Sequence, residues 1–484
     1  MRGSRLPAWS GLVFLAAVAL GRNLPRLSPG MLDWAEPGNV AAALAQGRGF
    51  SDPFDGGTGA TAWVSPLPAW VEAAVFLALG VKTAASAKAL LALSVLGLGA
   101  ANALLLSALA PFGAWARGGA SAAFLAYCAL VPGSPLEVLS EAWLDILLSA
   151  ALLWSALGFA RGSGRGASAA LIAVAFLAPL DNAGLALAAG LVVLALAWRA
   201  RGALRGLGVP VAAGAAAALA VAAWTGRNAS ALGRFVPLKS NFWFELHLAN
   251  VDSADGLPRM ETVLRRLPFF SVAEFGRYAT LGEARYVDSF RPEAAAALRS
   301  HPGHFAGNVL RRAIDATVFC KREGGGAFTR ARLAPGDAER LTSAGEWIPA
   351  GHSGAFWTRI DSPPAYEFGL MERLGLADRA AAWADWSEKR LAFDAQFRGF
   401  TGTATGFLTA GLPLVALLLA ALLRGGRPGP PAAWAAAIGF GMLLPFVLVN
   451  HNDRHQLPLI AMQSVVIGAC AQALADRRER GPAP

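Results

Sequence analysis

Acidic side chains are concentrated in the stretch that follows the first apolar segment of the chain, residues 31–68. Charge near a bilayer is costly, so carboxylates just outside a membrane span usually serve a site, and one of them can act as a general base. Asp33 is the first candidate for that base. A solvated acidic loop is the alternative interpretation. The four acids of the stretch are Asp33, Glu36, Asp52 and Asp55.

The elements that must position these acids are membrane helices. The chain has 484 residues, of which 55% are hydrophobic and 15% are charged, a composition typical of a polytopic membrane protein rather than a soluble enzyme. A helix that crosses a bilayer needs roughly 20 apolar residues, and ten apolar runs are interpreted as spans on that basis. They are Leu6–Gly21, Ala87–Ala110, Gly119–Pro132, Glu141–Ala160, Ala167–Leu180, Ala183–Trp198, Leu207–Trp224, Thr405–Leu423, Ala432–Val449 and Leu457–Ala475.

Short basic loops orient these spans. Arginine clusters such as Arg199 and Arg201 belong in the cytoplasm by the positive-inside rule, which places both termini of this multi-pass protein there. The Ala/Gly/Arg-rich composition suggests a bacterium, so we expect these spans in a bacterial inner membrane. Pro66–Gly80 is an eleventh apolar run. If it crossed, every later loop would be reversed, so we expect it to lie along the interface or to re-enter. The external segments are then 22–86, 133–140, 181–182, 226–404 and 450–456.

The net charge of +10 follows from this topology. Basic residues gather in the cytoplasmic segments, which excludes a nucleic-acid site as the reason for the charge. The three cysteines, Cys128, Cys320 and Cys470, are far apart, so neither a disulfide framework nor a CxxC metal pattern is present.

Three regions follow from this layout. Residues 1–225 form an N-terminal transmembrane module that includes the first external loop, and residues 226–404 form a large periplasmic domain. Residues 405–484 form the last membrane helices and a short basic tail. Within the periplasmic domain, Glu293–Phe319 and Tyr366–Phe400 are predicted to be amphipathic helices.

A second acidic group begins the span after the second external loop. Glu141 and Asp145 are four residues apart and therefore share a helix face. They could face an acceptor or a divalent cation, or they could complement the helix dipole with Ser140 as the cap. Asp181 and Asn182 are interpreted as ordinary turn residues.

The last external loop contains Arg454 between two histidines, His451 and His455. Two histidines four residues apart could hold a metal ion on one helix face, although the sequence indicates no third ligand. An arginine at a span end can bind phosphate, or it can simply reach lipid headgroups.

Two stretches resemble a known family. Residues 31–80 resemble the first external loop of GT-C glycosyltransferases, particularly bacterial relatives of glycosyltransferase family 39, which include protein O-mannosyltransferases and aminoarabinose lipid A transferases. Trp224–Asn250 is similar to the segment that precedes their large external domain. The matching residues are Gly47, Gly49, Phe50, Thr61, Ala62, Pro66, Leu67 and Pro68, then Trp224, Arg227, Asn228, Gly233, Phe235, Val236, Pro237, Leu238, Ser240, Asn241, Leu246 and Asn250.

The resemblance implies an all-α polytopic membrane protein: a GT-C-type bundle of about ten transmembrane helices with a mostly helical external domain. It implies a membrane glycosyltransferase that moves a sugar from a polyprenyl-phosphate donor to a lipid, glycan or protein acceptor at the periplasmic face. The reaction would be an inverting single displacement. The implied partners are the lipid-linked sugar, an acceptor and membrane lipids.

The resemblance also assigns roles to individual residues. It puts the catalytic base on Asp33, with Glu36 one helical turn away as the second candidate, because Trp34 follows Asp33 where many relatives have consecutive acids. No cofactor is assigned, and a divalent metal ion is left open. Among the residues near this face, Arg227 and Lys239 are the best cations for the leaving phosphate. Relatives often carry an Arg-Tyr or Tyr-Arg pair in the last external loop, and Arg454-His455 stands in its place here, so the resemblance gives Arg454 a role in phosphate binding only in part.

Two other functions compete with this one. A transporter would place polar residues at mid-membrane on broken, repeated helices, and these spans are nearly free of charge and show no repeat. A non-catalytic scaffold of a polysaccharide or export system would keep the architecture without the chemistry. Loss of activity in Asp33→Asn with normal folding would separate the enzyme from the scaffold.

Overall fold

The computed structural model describes residues 8–23, 36–131, 134–162, 164–200, 204–253, 256–257, 266–268, 271–319, 328–332, 355–359, 407–451 and 453–480. Most of these residues are helical. The helices are α1 (Ala8–Asn23), α2 (Glu36–Ala45), α3 (Pro66–Leu79), α4 (Ala84–Leu109), α5 (Ala114–Leu130), α6 (Ala142–Ala160), α7 (Gly164–Asp181), α8 (Ala183–Ala200), α9 (Leu204–Leu232), α10 (Phe242–Asn250), α11 (Val272–Leu281), α12 (Glu283–Asp288), α13 (Arg291–Ser300), α14 (Pro302–Ile314), α15 (Leu412–Leu423), α16 (Pro430–Leu448) and α17 (Ile460–Arg480).

Seven helices of the described chain are long and apolar enough to cross a membrane. Three shorter apolar helices accompany them, at Ser10–Asn23, Pro66–Leu79 and Phe407–Leu423. Each of the ten predicted spans coincides with a helix, which confirms the all-α polytopic fold. The helix in the eleventh apolar run, α3, has only 14 residues and a length of about 21 Å, short of the roughly 30 Å hydrocarbon core.

Small residues allow the membrane helices to approach closely. A Cβ atom on Gly468 of α17 would lie 2.3 Å from the carbonyl oxygen of Ala116 in α5, and one on Gly184 of α8 would lie 2.1 Å from that of Met442 in α16. Since lipid tails are as apolar as leucine, helices in a membrane associate through this kind of close packing. The glycine and alanine content of the sequence therefore serves the packing of the bundle.

The predicted amphipathic helix Glu293–Phe319 is wrong as a single element. The chain forms α13 and α14, and the break falls at His301, whose backbone leaves the helical region (φ −133°, ψ 59°) because Pro302 follows it. The predicted helix Tyr366–Phe400 lies outside the described residues. The described part of residues 226–404 also contains two antiparallel strands, Phe328–Arg332 and Ala355–Arg359, with Phe328 opposite Arg359.

A buried arginine connects the external helices to the membrane bundle. Arg312 of α14 is fully buried, and its guanidinium donates to the carbonyl oxygens of Val447 (2.7 Å) and Leu448 (3.2 Å) at the end of α16. It also donates to the carbonyl oxygen of Gly256 at 3.1 Å. Burial lowers the pKa of Arg312 to about 10, which leaves it charged at neutral pH. These bonds satisfy carbonyl groups that the end of a helix leaves unpaired.

Candidate functional site

The two stretches that carry the family resemblance are in direct contact. Arg227, near the end of α9, donates one hydrogen bond to the carbonyl oxygen of Phe50 at 2.6 Å and another to that of Thr61. Its guanidinium carbon lies 5.1 Å from the ring centroids of both Phe50 and Trp224. Arginine is suited to this position because its planar group donates in two directions and stacks on aromatic rings.

The segment after α9 is held by hydrogen bonds from the same helix. The Trp224 indole donates to the carbonyl oxygen of Leu238 at 2.9 Å, and the Asn228 amide donates to that of Val236 at 2.9 Å. The backbone N–H of Ser240 then donates to the carbonyl oxygen of Ala62 in the first loop at 2.9 Å. The tryptophan, arginine and asparagine of the second motif therefore hold two loops in register.

A carboxylate from the region after α10 completes this contact. Glu283, at the start of α12, accepts hydrogen bonds from the Thr61 hydroxyl, from the Ala62 backbone N–H at 2.7 Å and from the Tyr278 hydroxyl at 2.7 Å. Burial, followed by the charge of Glu283, raises the pKa of Tyr278 well above its ordinary value, so its hydroxyl keeps its proton. Sequence analysis missed Glu283. An acid in the first turn of a helix resembles many others, and no local pattern links it to a loop 221 residues earlier.

Two of the four acids in the first stretch shape the loop itself. Asp52 has a positive φ of 59° and accepts a hydrogen bond from Gly59 N–H at 2.9 Å, and it pairs with Arg48. Asp55 lies 3.4 Å from the ammonium of Lys82. These contacts favour a structural role for both acids, which narrows the search for a base to Asp33 and Glu36.

The ends of α6 and α7 bring a second pair of acids together. The side chains of Asp145 and Asp181 lie close enough to interact, Asn182 lies near Asp145, and the positive charge of Lys239 acts on Asp145. Oδ1 of Asp145 and Oδ2 of Asp181 are buried and accept no hydrogen bond from the described residues. Because buried carboxylate oxygens are rarely left without a donor, a shared proton, a buried water, a cation or a substrate hydroxyl would complete this pair.

The structure changes the interpretation of the turn at 181–182. Asn182 acts as a turn residue, because its Oδ1 accepts the N–H of Gly184 at 2.7 Å. Asp181 does not, since its side chain is only 6% exposed and faces Asp145. The proposed capping of α6 by Ser140 is wrong: Glu141 is the residue at the cap, and no side chain caps the helix there.

The structure describes the three remaining predicted residues to different extents. Glu36 is the first residue of α2 and is half-buried. Asp33 lies outside the described residues. Arg454 belongs to the 3-10 helix Asp453–Leu459, but its side chain lies outside the described set. The roles of all three residues therefore stay predictions.

The histidines of the last loop have protein partners. His451 Nδ1 lies 3.3 Å from Asp315 Oδ2, and the His455 ring stacks on Phe446 with 3.9 Å between centroids. Within the part of the chain that the structure describes, no three His, Cys, Asp or Glu side chains converge as around a metal ion. The Asp145–Asp181 pair offers two carboxylates to a divalent cation, yet the charge of Lys239 opposes one there.

Comparisons with known proteins found distant structural similarity. No protein-family model matches the chain, and no curated protein matches it. The chain is similar to the oligosaccharyltransferase of Archaeoglobus fulgidus, with 11% identity and a TM-score of 0.43 over 97% of this chain, which spans 49% of that protein. It is also similar to ArnT from Cupriavidus metallidurans bound to undecaprenyl phosphate, with 18% identity, a TM-score of 0.34 and coverage of 96% of this chain and 77% of that one.

Proposed function

We propose that this chain is a membrane glycosyltransferase that moves a sugar from a polyprenyl phosphate to an acceptor at the periplasmic face. The observation that carries the proposal is the contact made by Arg227. It joins the two stretches that resemble the family through Phe50 and Arg227, which are 177 residues apart in the sequence. The joined loops lie at the end of the bundle that also holds Lys239 and the Asp145–Asp181 pair.

The reaction needs a base, a place for the leaving phosphate and a place for the acceptor. Asp33 or Glu36 takes the proton of the acceptor hydroxyl. The oxygen of the acceptor then forms a bond to the anomeric carbon. The bond from that carbon to the phosphate oxygen breaks, and the polyprenyl phosphate leaves with the electron pair. Attack from the face opposite the leaving group inverts the anomeric centre.

Lys239 and Arg454 are the cations proposed to stabilise the departing phosphate. Arg227 was predicted to join them, and that prediction stays open. Its two hydrogen bonds to loop carbonyl groups favour a different primary role, in which it holds the first loop in place for the base. The Asp145–Asp181 pair is proposed to hold hydroxyl groups of the acceptor.

Native mass spectrometry of the protein in lipid nanodiscs tests this function. The nanodiscs would contain undecaprenyl phosphate and a panel of undecaprenyl-phosphate sugars. The wild type is expected to retain at least one sugar lipid, and Lys239→Ala combined with Arg454→Ala is expected to lose it. Arg477→Ala combined with Arg478→Ala removes the same charge at the other end of α17 and should bind as the wild type does.

The transferase proposal fails if the wild type binds no polyprenyl phosphate above the background of phosphatidylglycerol. If binding is normal, turnover of Asp33→Asn and Glu36→Gln identifies the base. Only the variant that has lost the base should retain the sugar lipid without transferring it.

A further inference from the structure

A series of hydrogen bonds connects the first loop to the last loop of the chain. The backbone N–H of Ser240 donates to the carbonyl oxygen of Ala62 in the first loop at 2.9 Å. The next residue, Asn241, donates from its side-chain amide to Oε1 of Glu245 at 3.0 Å. The side-chain amide of Asn450, just after α16, donates to Oε2 of the same carboxylate. Glu245 therefore uses one oxygen for the segment that binds the first loop and the other for the last loop.

The buried face of α10 ties Glu245 to the first loop. Phe244, the residue before it, is buried and packs against Trp63 of the first loop, with 5.1 Å between the ring centroids. It also packs against Phe290, with 5.3 Å between the centroids. Because protein interiors are densely packed, α10 can shift only together with these rings. The position of Glu245 therefore follows that of the first loop.

The last loop has further attachments, to α14 and to the π-helical turn Asp315–Phe319 that follows it. Arg312 of α14 binds the carbonyl groups at the end of α16, and the Gln456 amide donates to the carbonyl oxygen of Ala316 at 2.7 Å. Asn450 comes between these two contacts in the sequence, and its side chain is buried. The loop is therefore held by both α10 and α14, and the contact with α10 leads to the first loop.

The chemistry of the Glu245 contacts suits a link of fixed length. Both carboxylate oxygens accept a hydrogen bond from a neutral side-chain amide of the chain. Hydrogen bonds that end on a charged carboxylate are roughly twice as strong as those between neutral groups. A base or a metal ligand would have to give up one of these amides to a substrate or an ion. The contacts therefore favour Glu245 as a bridge between two segments.

The proposed transfer needs the two loops at a fixed separation. Glu36 begins α2, which is tied to the first loop because Asn39 donates to the carbonyl oxygen of Pro53 at 2.9 Å. Arg454 belongs to the 3-10 helix Asp453–Leu459 of the last loop. An inverting displacement requires the base and the phosphate-binding cation on opposite sides of the anomeric carbon. An error of about 1 Å in such a geometry can cost about 100-fold in rate.

We propose that Glu245 is a positioning residue for the transfer reaction. It sets the separation of the first loop and the last loop, and with it the place of Arg454 relative to the base. This inference rests on the proposed function, which supplies the roles of Arg454 and of the base. Glu245 acts through Asn450 and needs no contact of its own with the substrate.

Binding of undecaprenyl phosphate to the full chain in phosphatidylglycerol nanodiscs, titrated by native mass spectrometry, tests this role. Glu245→Gln turns an amide toward one of the two amide donors and breaks that bond, so we expect at least about tenfold weaker binding. Glu245→Gln combined with Asn450→Asp reverses donor and acceptor, because the new amide donates to the new carboxylate and its oxygen still accepts from Asn241. This double variant should recover most of the binding. Glu479→Gln, at an exposed position near the end of α17, should bind as the wild type does.

Combination with Arg454→Ala distinguishes positioning from a general loss of structure. Arg454→Ala alone should weaken binding without abolishing it, because Lys239 remains. If Glu245 acts through Arg454, Glu245→Gln should weaken binding in the wild-type background and leave it unchanged in the Arg454→Ala background.

Three results would overturn the inference. Glu245→Gln could bind undecaprenyl phosphate as tightly as the wild type, or it could weaken binding by the same factor in both backgrounds. The double variant with Asn450→Asp could fail to recover binding although it unfolds at the wild-type temperature. In each case the transferase proposal still stands if the wild type binds undecaprenyl phosphate, and a wild type that binds none contradicts the proposed function itself.

Discussion

The guanidinium of Arg227 donates to the backbone carbonyl oxygen of Phe50 at 2.6 Å, although 177 residues separate the two in the sequence. The same guanidinium lies over the Phe50 ring. One side chain therefore fixes both the path of the first loop and the position of its aromatic anchor. The proposed base would require a loop held this closely, because small displacements of a catalytic group cost large factors in rate.

Substitution of Arg227 separates a positioning role from a phosphate-binding role. Arg227→Lys keeps the charge but loses the planar fork, so we expect it to lose about 2 kcal/mol of stability and most of the transfer activity. Hydrogen exchange of the amides in residues 50–64 should accelerate in the variant. If Arg227→Lys retained full activity and normal exchange, the charge alone would matter and the phosphate-binding prediction would be favoured.

Glu283 should be as important to the first loop as Arg227. Its carboxylate accepts from Thr61, Ala62 and Tyr278, and Glu283→Gln would turn an amide N–H toward at least one of these donors. We expect a loss of about 1–3 kcal/mol in thermal unfolding experiments. Thr61→Ser keeps a hydroxyl at the same place and serves as the control. Equal stability of Glu283→Gln and the wild type would contradict this account of the contact.

The sequence predicted the membrane helices well, because long apolar runs have few alternatives in a bilayer: each of the ten predicted spans coincides with a helix, and seven of these helices are long and apolar enough to cross. It also identified Arg227 and Trp224 through the resemblance, but it assigned Arg227 to phosphate, whereas the structure engages it with the carbonyl groups of Phe50 and Thr61. A sequence motif identifies residues that have a role, but it does not show which atoms their side chains contact.

Contacts between distant residues were harder to predict. Asp181 was interpreted as a turn residue because its neighbours in sequence are all that a local pattern contains, and its partner Asp145 is on another helix. Glu245 was assigned no role for the same reason, because its partner Asn450 is 205 residues away. Helix packing decides whether a lone acid faces lipid, solvent or a cleft, and no periodicity in this sequence specifies that packing.

The pH dependence of stability should depend on His247. Its buried ring lies 3.1 Å from Asp252 and 2.8 Å from Glu293. Burial alone would lower the pKa of His247, but the hydrogen bonds to these two acids outweigh it, and the pKa is raised above 6.5. Arg266, which also bonds Asp252, opposes the increase in part.

A raised pKa in the folded state means that the protonated ring stabilises the protein. The contribution is fully present below the unfolded pKa, and it is lost as the pH rises through the higher folded pKa. We expect thermal unfolding to show His247→Gln less stable than the wild type near pH 6, with the difference shrinking toward about pH 9. His304→Gln, at an exposed position, should follow the wild type throughout. A constant difference for His247→Gln across this range would contradict the assignment.

Substitution in the Asp145–Asp181 pair should reduce the transfer activity without reducing the thermal stability. Asp145→Asn places an amide beside Asp181, where it can donate to the carboxylate oxygen that now lacks a donor. We therefore expect thermal stability to be unchanged or increased, since the variant removes a like charge from a buried pair. If the pair holds the acceptor hydroxyl groups, transfer should still fall by about 100-fold. Turnover of an undecaprenyl-phosphate sugar and the unfolding temperature, measured on the same preparation, decide the matter. A stable Asp145→Asn variant with normal turnover would show that the pair contributes only to packing. In that case Asp181→Asn should also leave turnover unchanged.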